Sequence, residues 1–264
     1  MKIHPPDCLQ VSDEESLDRL TEKWDIFQLR KGHRFSTDDL LTAWMAWRFN
    51  PTGKECLDLG SGIGTVGLLT LYKMAAEARL TTIEVQEVSY SLACRTVNLN
   101  RLEERVTLVH ADLRSAEVLA TGKKWDQVTG SPPYFPVGTA VMSPHPQRAG
   151  ARMELKGDVF DYCKAAAQVL SDDGFFTFVH AAGDPRPEQA IRASGLQLIC
   201  RRNVCFRAGR KPTIALFVCA WRGVRQDEPD FVIRDEEGVW TPETLNMRKS
   251  MGGPDPRPDL PSSH

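Results

Sequence analysis

An acidic residue followed by closely spaced glycines is the first feature of this chain that could do chemistry. Residues 56–69, CLDLGSGIGTVGLL, contain an apolar run that reaches Asp58, then Gly60, Gly62 and Gly64, and then an apolar helical pattern. This order is typical of a strand, a tight turn and a helix. The glycines permit backbone angles closed to other residues and remove the Cβ atoms that would hold a ligand away. The stretch predicts a ligand on the turn; the simpler interpretation is that the glycines only form the turn.

Two classes of ligand fit this turn. Gly62, Gly64 and Gly67 satisfy the G-x-G-x-x-G fingerprint and Glu84 follows at a suitable distance, so a nicotinamide dinucleotide is one hypothesis. Asp58 favours the other class. A carboxylate at the end of the strand can meet a cation, such as the α-ammonium of S-adenosylmethionine, whereas it would repel a pyrophosphate.

The second chemical feature is the run Ser131-Pro132-Pro133-Tyr134-Phe135. Two prolines donate no hydrogen bond and keep the backbone extended, so the carbonyls around Ser131 and Pro132 point into a site. An exocyclic amine becomes nucleophilic when a side-chain oxygen and a carbonyl accept its protons, and Ser131 Oγ and Pro132 C=O supply that pair. Tyr134 can stack on the planar base and hold it in line for a displacement. The run predicts transfer to an amine without a metal; the alternative is a proline turn with Tyr134 in the core.

Alternating strands and helices must position these two features. Strand patterns at residues 79–85, 106–110, 125–130 and 175–180 follow the glycine turn and are separated by helical patterns. The alternation predicts a parallel sheet with right-handed crossovers. Ligands of such sheets bind beyond the carboxyl ends of the strands. Four polar residues therefore fall on one rim: Asp58, Glu84, Asp112 and Ser131.

The composition is that of an ordinary globular chain. Its 264 residues are 41% hydrophobic and 26% charged, which is enough for one full domain core. No apolar stretch approaches the roughly 20 residues of a membrane span, and the first six residues lack the apolar core of a signal peptide. Seven cysteines without any C-x-x-C argue against a disulfide framework and a zinc cluster. These features predict a cytoplasmic protein with no metal and no membrane partner.

A nucleic-acid partner would need a local basic patch, because the net charge is −2. Residues 196–206 and 213–221 predict an antiparallel hairpin whose basic residues have no acid among them: Arg201, Arg202, Arg207, Arg210 and Lys211. A solvated hairpin is the alternative interpretation. The long loop at residues 139–151 suits a substrate lid.

The ends of the chain predict no chemistry. Residues 1–27 are acidic, with a short helix expected near residues 14–23, and we interpret them as an N-terminal extension that caps the fold. Ser36 and Asp39 indicate a helix cap after it, and hydroxyls and carboxylates at such a helix start can also face a neighbouring ligand. We expect the main domain to span residues 28–245 and residues 246–264, rich in Gly, Pro and Ser, to be a disordered tail.

Taken together, these motifs resemble those of S-adenosylmethionine-dependent N6-adenine methyltransferases, closest to the bacterial tRNA (adenine-N6)-methyltransferases that modify a valine tRNA beside its anticodon. The resemblance covers most of the chain. It includes residues 34–38 (RFSTD), 58–62 (DLGSG), 84–86 (EVQ), Asp112, the Ser131 run, residues 151–154 and residues 235–243. It implies a class I, Rossmann-like α/β fold, with a seven-stranded mixed sheet in the order 3-2-1-4-5-7-6 and strand 7 antiparallel.

The resemblance also implies a site. The cofactor would be S-adenosylmethionine, with Glu84 on the ribose hydroxyls, Asp112 on the adenine edge, and Asp58, Thr37 and Asp38 around the methionine end. The full set implied to bind the cofactor is Arg34, Thr37, Asp38, Asp58, Gly60, Gly62, Glu84, Val85, Asp112, Leu113 and Ser131. The catalytic set is Ser131, Pro132, Pro133 and Tyr134. The partner would be RNA, with tRNA first, held through Arg148, Arg152 and the basic hairpin.

Ser131 departs from the family pattern, which has asparagine there. The Ser-Pro-Pro-Tyr form is more usual in cytosine-N4 methyltransferases, but several of those carry it before the glycine motif, and here it follows. Glutamine-N5 methyltransferases of release factors share the Pro-Pro-Tyr chemistry, yet resemble chains with a helical domain before the glycine motif. A protein that keeps the fold and only binds RNA is the remaining alternative.

Overall fold

The computed structural model describes residues 9–136, 138 and 145–253. The strands are β1 (Glu15–Arg19), β2 (Asp25–Leu29), β3 (Glu55–Leu59), β4 (Arg79–Glu84), β5 (Val106–His110), β6 (Trp125–Gly130), β7 (Leu170–Ala181), β8 (Gln197–Cys205), β9 (Ile214–Ala220) and β10 (Phe231–Val232). The helices are α1 (Thr37–Phe49), α2 (Thr65–Lys73), α3 (Glu87–Leu99), α4 (Ala116–Leu119), α5 (Pro146–Arg152), α6 (Val159–Val169), α7 (Arg186–Ala193) and α8 (Pro242–Ser250). Within this described part, no helix is both long and apolar enough to cross a membrane.

The main sheet has the strand order β10-β8-β9-β7-β6-β3-β4-β5. Strand β9 pairs antiparallel with both β7 and β8, and the other neighbours are parallel. Seven of these strands follow the predicted order 3-2-1-4-5-7-6, so the class I methyltransferase fold is confirmed. The strand count of seven is wrong, because β10 adds an eighth strand of two residues. Phe231 of β10 is buried against the Trp44 ring, and a strand this short produces no alternating pattern in the sequence.

Two apolar clusters fill the two faces of the sheet. The first packs α1, α2, α3 and α8 on one face and includes Leu41, Met45 and Leu68. The second packs α4, α6 and α7 on the other face and includes Leu59, Val128 and Phe178. Strand β9 is buried along its whole length, because successive side chains enter both clusters. A sheet covered on both faces leaves its carboxyl edge as the place for polar chemistry.

The N-terminal segment is a hairpin, so the short helix predicted near residues 14–23 is wrong. Strands β1 and β2 pair antiparallel, and β2 packs against α3. Two backbone amides of β2 donate to side chains at the end of that helix, Asp25 N to Asn100 Oδ1 at 3.0 Å and Phe27 N to Thr96 Oγ1 at 3.1 Å. Ile26 and Phe27 are fully buried in the first apolar cluster. These contacts across the fold decide a conformation that a short polar sequence does not specify.

The predicted boundary after residue 245 falls inside α8. Met247 and Met251 are buried in the first cluster, so the folded chain extends past that boundary. Residues 254–264, the rest of the predicted tail, lie outside the described residues. The predicted lid loop, residues 139–151, is described only in part. Residues 139–144 lie outside the described residues, and residues 146–152 form α5.

Candidate active site

A narrow cleft, called the first cleft below, runs along the carboxyl ends of β3, β4 and β6. Its walls carry three buried carboxyl groups, Asp39, Asp58 and Glu84. The glycine turn, Lys156 and Tyr162 also line it. Other residues that line the cleft are His33, Ser61, Val85, Gln86, Leu113, Ser131 and Pro133.

Asp58 is held at the end of β3 by two hydrogen bonds. The backbone N–H of Gly67 donates to its Oδ2 at 2.9 Å, and Thr129 Oγ1 donates to its Oδ1 at 2.8 Å. Burial raises the pKa of this carboxyl to about 6, although the two hydrogen bonds oppose the shift. The side chain is therefore fixed in place and its charge is incompletely compensated.

Glu84 ends β4 and fixes the glycine turn. Its Oε2 accepts the N–H of Gly62 at 2.8 Å, and its Oε1 accepts the N–H of Gln86 at 2.6 Å. Burial raises the pKa of Glu84 above its ordinary value. The backbone N–H groups of Gln86, Gly62 and Val85 oppose this shift. An ionised carboxylate has about four acceptor positions, so three donors leave room for a donor on a ligand.

The glycine turn depends on left-handed backbone and on the ring of Tyr162. Gly60 and Gly62 have φ of +58° and +57°. A Cβ at Gly60 would overlap the Tyr162 hydroxyl, whereas a Cβ at Gly62 would meet no described atom within 4 Å. Gly130, at the end of β6, also lies against the Tyr162 ring. Tyr162 thus needs two glycines beneath it, and Gly62 opens onto free space.

A second cavity of about 690 Å³ adjoins the first cleft. Ser131 and Pro133 line both spaces, while Pro132, Tyr134 and Phe135 line only the second cavity. Ser131 Oγ is buried and has no hydrogen-bond partner among the described residues. The predicted catalytic run therefore stands between two spaces, with an unused hydroxyl at their junction.

Tyr134 is oriented by a carboxylate on α1. Its hydroxyl donates to Asp38 Oδ2 at 3.2 Å, and its ring lies 5.2 Å from the ring of His180. Burial raises the pKa of Asp38 and lowers the pKa of His180 to about 4. Tyr134 thus packs on a neutral imidazole, is held by α1 through its hydroxyl, and lines the second cavity.

Arg186 stabilises the Ser131 run through hydrogen bonds to the chain around it. Its guanidinium donates to both oxygens of Asp184, at 3.1 and 2.6 Å, and to Glu154 Oε1 at 2.7 Å. It also approaches the Tyr134 carbonyl at 3.5 Å. The neighbouring chain is tied as well, since Glu154 N donates to Phe135 O at 3.1 Å.

The structure brings most of the predicted site residues together. Asp58, Gly60, Gly62, Glu84, Val85, Leu113 and Ser131 line the first cleft, and Arg34, Asp38, Ser131, Pro132, Pro133 and Tyr134 line the second cavity. Thr37 begins α1 and is among the lining residues of neither space. Asp112 is also outside both, and its carboxylate is paired with Arg114 at 2.6 Å.

The sequence does not indicate Tyr162, and Asp39 is interpreted from it first as a helix cap and is not among the predicted site residues. Asp39 does accept the N–H of Ser36 at 2.8 Å, yet it also lines both spaces, and burial raises its pKa to about 7. Its position directly before an apolar helix face was the available signal. Tyr162 had none, because its pattern in α6 is that of a core residue.

The basic hairpin is only partly exposed. Arg201 pairs with Glu188 at 3.0 Å. Arg202 is buried and pairs with Glu228 and Glu243 at 3.1 and 2.7 Å. These two arginines hold α7 and α8 against β8, which leaves Arg207, Arg210 and Lys211 exposed in the connecting loop.

A family model described as "Methyltransferase small domain" matches residues 35–190, more than half of the chain. This chain belongs to that family. The predicted resemblance and the predicted methyltransferase class are therefore confirmed, and the nicotinamide hypothesis is not supported.

Relatives and solved structures agree with this assignment. The tRNA1(Val) (adenine(37)-N6)-methyltransferase of Shewanella amazonensis is 30% identical over 80% of this chain and 88% of its own length. The enzyme of the same name from Pasteurella multocida is 26% identical over 82% and 88%. The structure of a predicted O-methyltransferase from Agrobacterium tumefaciens superimposes with a TM-score of 0.60 at 17% identity, covering 82% of this chain and 98% of that one. The last comparison concerns the fold alone.

The first cleft of this methyltransferase fits S-adenosylmethionine by its chemistry. Ser61 Oγ and Ser131 Oγ are buried polar atoms with no partner among the described residues. Asp58 and Glu84 supply negative charge, and Gly62 leaves the turn open. Unused hydroxyls, carboxylates and an open turn suit a ligand that carries a cation and sugar hydroxyls.

Proposed function

We propose that this methyltransferase transfers a methyl group from S-adenosylmethionine to the exocyclic N6 amine of an adenine in tRNA. The observation that carries the proposal is the place of Ser131 between the first cleft and the second cavity. The adenine acceptor and the tRNA are supported by the relatives, which are named tRNA1(Val) (adenine(37)-N6)-methyltransferases.

The first cleft would hold the cofactor, which supplies an activated methyl group. Glu84 would accept from the ribose hydroxyls, while Asp58 would face the cationic methionine end. Val85 and Leu113 would contact the adenine ring. Asp112 would meet the adenine edge with a carboxylate that already forms an ion pair with Arg114.

The second cavity would hold the acceptor base. Ser131 Oγ would accept one hydrogen of the exocyclic amine and the Pro132 carbonyl the other, which localises the nitrogen lone pair on the face turned toward the cleft. Pro132 and Pro133 keep this backbone extended without a competing amide donor. The Tyr134 ring would stack on the base and hold it in line.

One labelling experiment tests the reaction. The protein is incubated with radiolabelled S-adenosylmethionine and, separately, tRNA, rRNA, DNA and release factor, and the products are digested to nucleosides or amino acids. We expect N6-methyladenosine in the tRNA fraction. Ser131→Ala should lower its rate of formation by about 100-fold or more, in the range of a lost hydrogen bond that stabilises the transition state.

N4-methylation of cytosine is the second candidate, and Ser131 is the observation that favours it. The same digest separates the two, because N4-methylcytidine would replace N6-methyladenosine. If Ser131→Ala and Tyr134→Ala both left all methyl transfer unchanged while RNA binding persisted, the catalytic assignment would be wrong.

Cofactor binding has a separate test that does not depend on the acceptor. Glu84→Ala should weaken binding of S-adenosylhomocysteine by about 1.5 to 3 kcal/mol, as expected for charge-assisted hydrogen bonds. Calorimetry measures this directly. Heat from NADH and none from S-adenosylhomocysteine would overturn the cofactor assignment.

A further inference from the structure

A short basic segment, residues 30–34 (RKGHR), runs along the second cavity. All five residues line it, and the segment contains no acid. Lys31 is exposed and has no ion pair among the residues that the structure describes. Arg30 donates from Nε to the carbonyl of Asp13, at 3.2 Å, and Arg34 pairs with Asp18 at 2.9 Å. Within the described part of the chain, two of the three permanent cations of this segment therefore have no carboxylate partner.

The basic segment is fixed to α5. A Cβ at Gly32 would overlap Gln147 Oε1, so only glycine allows this approach. The same Oε1 accepts the N–H of His33 at 3.0 Å, and Gln147 Nε2 donates to Ser89 Oγ at 3.1 Å. Gln147 and Ser89 are both buried. Arg148, the next residue, is exposed and lines the same cavity. The hydrogen bonds of Gln147 therefore place a further cation at the rim of the second cavity.

An exposed aromatic ring completes the rim. Phe206 lines the second cavity directly after β8, with 40% of its surface exposed. It is followed by the exposed residues Arg207, Arg210 and Lys211. The acids of the cavity, Asp38 and Asp39, are engaged by Tyr134 and by the Ser36 amide. The rim thus combines cations with one aromatic face, the pairing that binds single-stranded nucleic acid.

We propose that the basic segment, Arg148 and Phe206 bind a single-stranded stretch of RNA whose target base enters the second cavity. Arg30, Lys31 and Arg148 contact the phosphates that flank this base, and Phe206 stacks on a neighbouring base. The proposal rests on the proposed function, because it assigns the RNA strand to the acceptor side of that site. The charge of the cavity rim selects a polyanion, and the exposed ring selects one with unstacked bases.

Binding at several salt concentrations tests this surface. The probe is an unmodified transcript of a valine tRNA, and its affinity for the full chain is measured by fluorescence anisotropy over a series of KCl concentrations around the physiological value. The double variant Arg30→Gln with Lys31→Gln should bind about 10-fold more weakly at roughly 0.1 M salt. Its plot of log affinity against log salt should be shallower by about 0.7 for each phosphate that the variant no longer neutralises.

The aromatic contact has a different expected result. Phe206→Ala should weaken binding by roughly 10-fold with the salt slope unchanged, because stacking releases no counterion. Phe206→Tyr should restore the affinity.

Lys164→Gln, which removes an exposed cation on α6, is the matched control for the double variant and should behave as the wild type.

The outcomes separate this proposal from the proposed function. If the wild-type protein forms N6-methyladenosine while the double variant keeps both affinity and salt slope, the surface assignment alone is overturned. An equal fall in affinity for Lys164→Gln would also overturn it, since the effect would then be general. If no methylated nucleoside forms although the double variant has a lower affinity and a shallower salt slope, the proposed reaction is wrong and the proposed RNA-binding surface is supported. Binding of S-adenosylhomocysteine by each variant verifies that it is folded.

Discussion

We expect Asp39 and Asp58 to make cofactor binding sensitive to pH. In the free protein, burial raises their pKa values to about 7 and about 6, so both carboxyls hold protons at mildly acidic pH. A bound cation favours the charged forms and expels those protons. Affinity for S-adenosylmethionine should therefore rise with pH through this window and level off above about pH 8. The same shifts lower the stability of the free protein as the pH rises from about 4 to about 7.

Calorimetry in buffers of different ionisation enthalpy measures this linkage. At about pH 6 we expect on the order of one proton released per cofactor bound, and affinity about 10-fold weaker than at about pH 8. Asp39→Asn should reduce the release and move the remaining pH dependence toward lower pH. Equal affinities at these two pH values in the wild type would contradict the prediction.

The sequence located single residues well where strand geometry fixes them. Asp58, Glu84 and Ser131 were predicted to share one rim because parallel strands end at the same edge of a sheet, and all three line the first cleft. Asp112 follows a strand end too, but its pairing with Arg114 depends on a turn that no spacing specifies. Tyr162 reaches the cleft from α6, and only the folded structure shows two glycines beneath its ring.

At the scale of elements, α7 positions the Ser131 run through Arg186. Removing this guanidinium would leave the carboxylates of Asp184 and Glu154 without this partner and release the Tyr134 carbonyl. Arg186→Met should lower kcat by about 10- to 100-fold, as a small misplacement of reacting groups does, with cofactor affinity nearly unchanged. Single-turnover assays and calorimetry measure the two quantities.

The matched control for this change lies on the same helix. Arg192 has a side chain that is 69% exposed and lies 3.8 Å from Glu188, so Arg192→Met should leave kcat unchanged. Arg186→Lys should recover only part of the activity, because an ammonium cannot reproduce the planar fork that binds both carboxylates. A parallel fall in cofactor affinity for Arg186→Met would instead indicate general damage to the site.

The turn between β3 and α2 gives another test at this scale. Gly60→Ala combines a positive φ with an overlap of the Tyr162 hydroxyl, and should lower the free energy of unfolding by about 3 kcal/mol. Gly62→Ala has a similar φ but free space, and should cost only about 1 kcal/mol. Urea unfolding compares the two. Equal losses of stability would mean that Tyr162 can move away without cost.

Elements with a strong periodicity of apolar residues were predictable from the sequence, and elements decided by contacts with distant residues were not. The alternating strands and helices and the antiparallel hairpin of β8 and β9 are confirmed. The hairpin of β1 and β2 was missed because its pairing is stabilised by Thr96 and Asn100, which lie 69 and 75 residues away from their partners in the sequence. A local pattern carries no information about such partners.

At the scale of the whole molecule, α8 belongs to the folded domain. Met247 and Met251 are buried in the first apolar cluster, so Met247→Ala and Met251→Ala should each lower the free energy of unfolding by about 2 to 4 kcal/mol. Leu245→Ala, at a site 38% exposed on the same helix, is the control and should cost under about 1 kcal/mol. Denaturant unfolding distinguishes them. Three similar small decreases in stability would restore the predicted boundary after residue 245.

The position of β9 also affects how the chain is made on the ribosome. In the sheet β9 lies between β7 and β8, but in the chain it follows both. While synthesis proceeds, the backbone edge of β7 along residues 176–181 has no partner strand from this sheet until Ala220 has left the exit tunnel. An unpaired apolar edge is open to other nascent chains and to chaperones. Because translation adds about 5 to 20 residues per second, this exposure lasts for seconds, and slowing the codons between β8 and β9 should increase aggregation of the new protein.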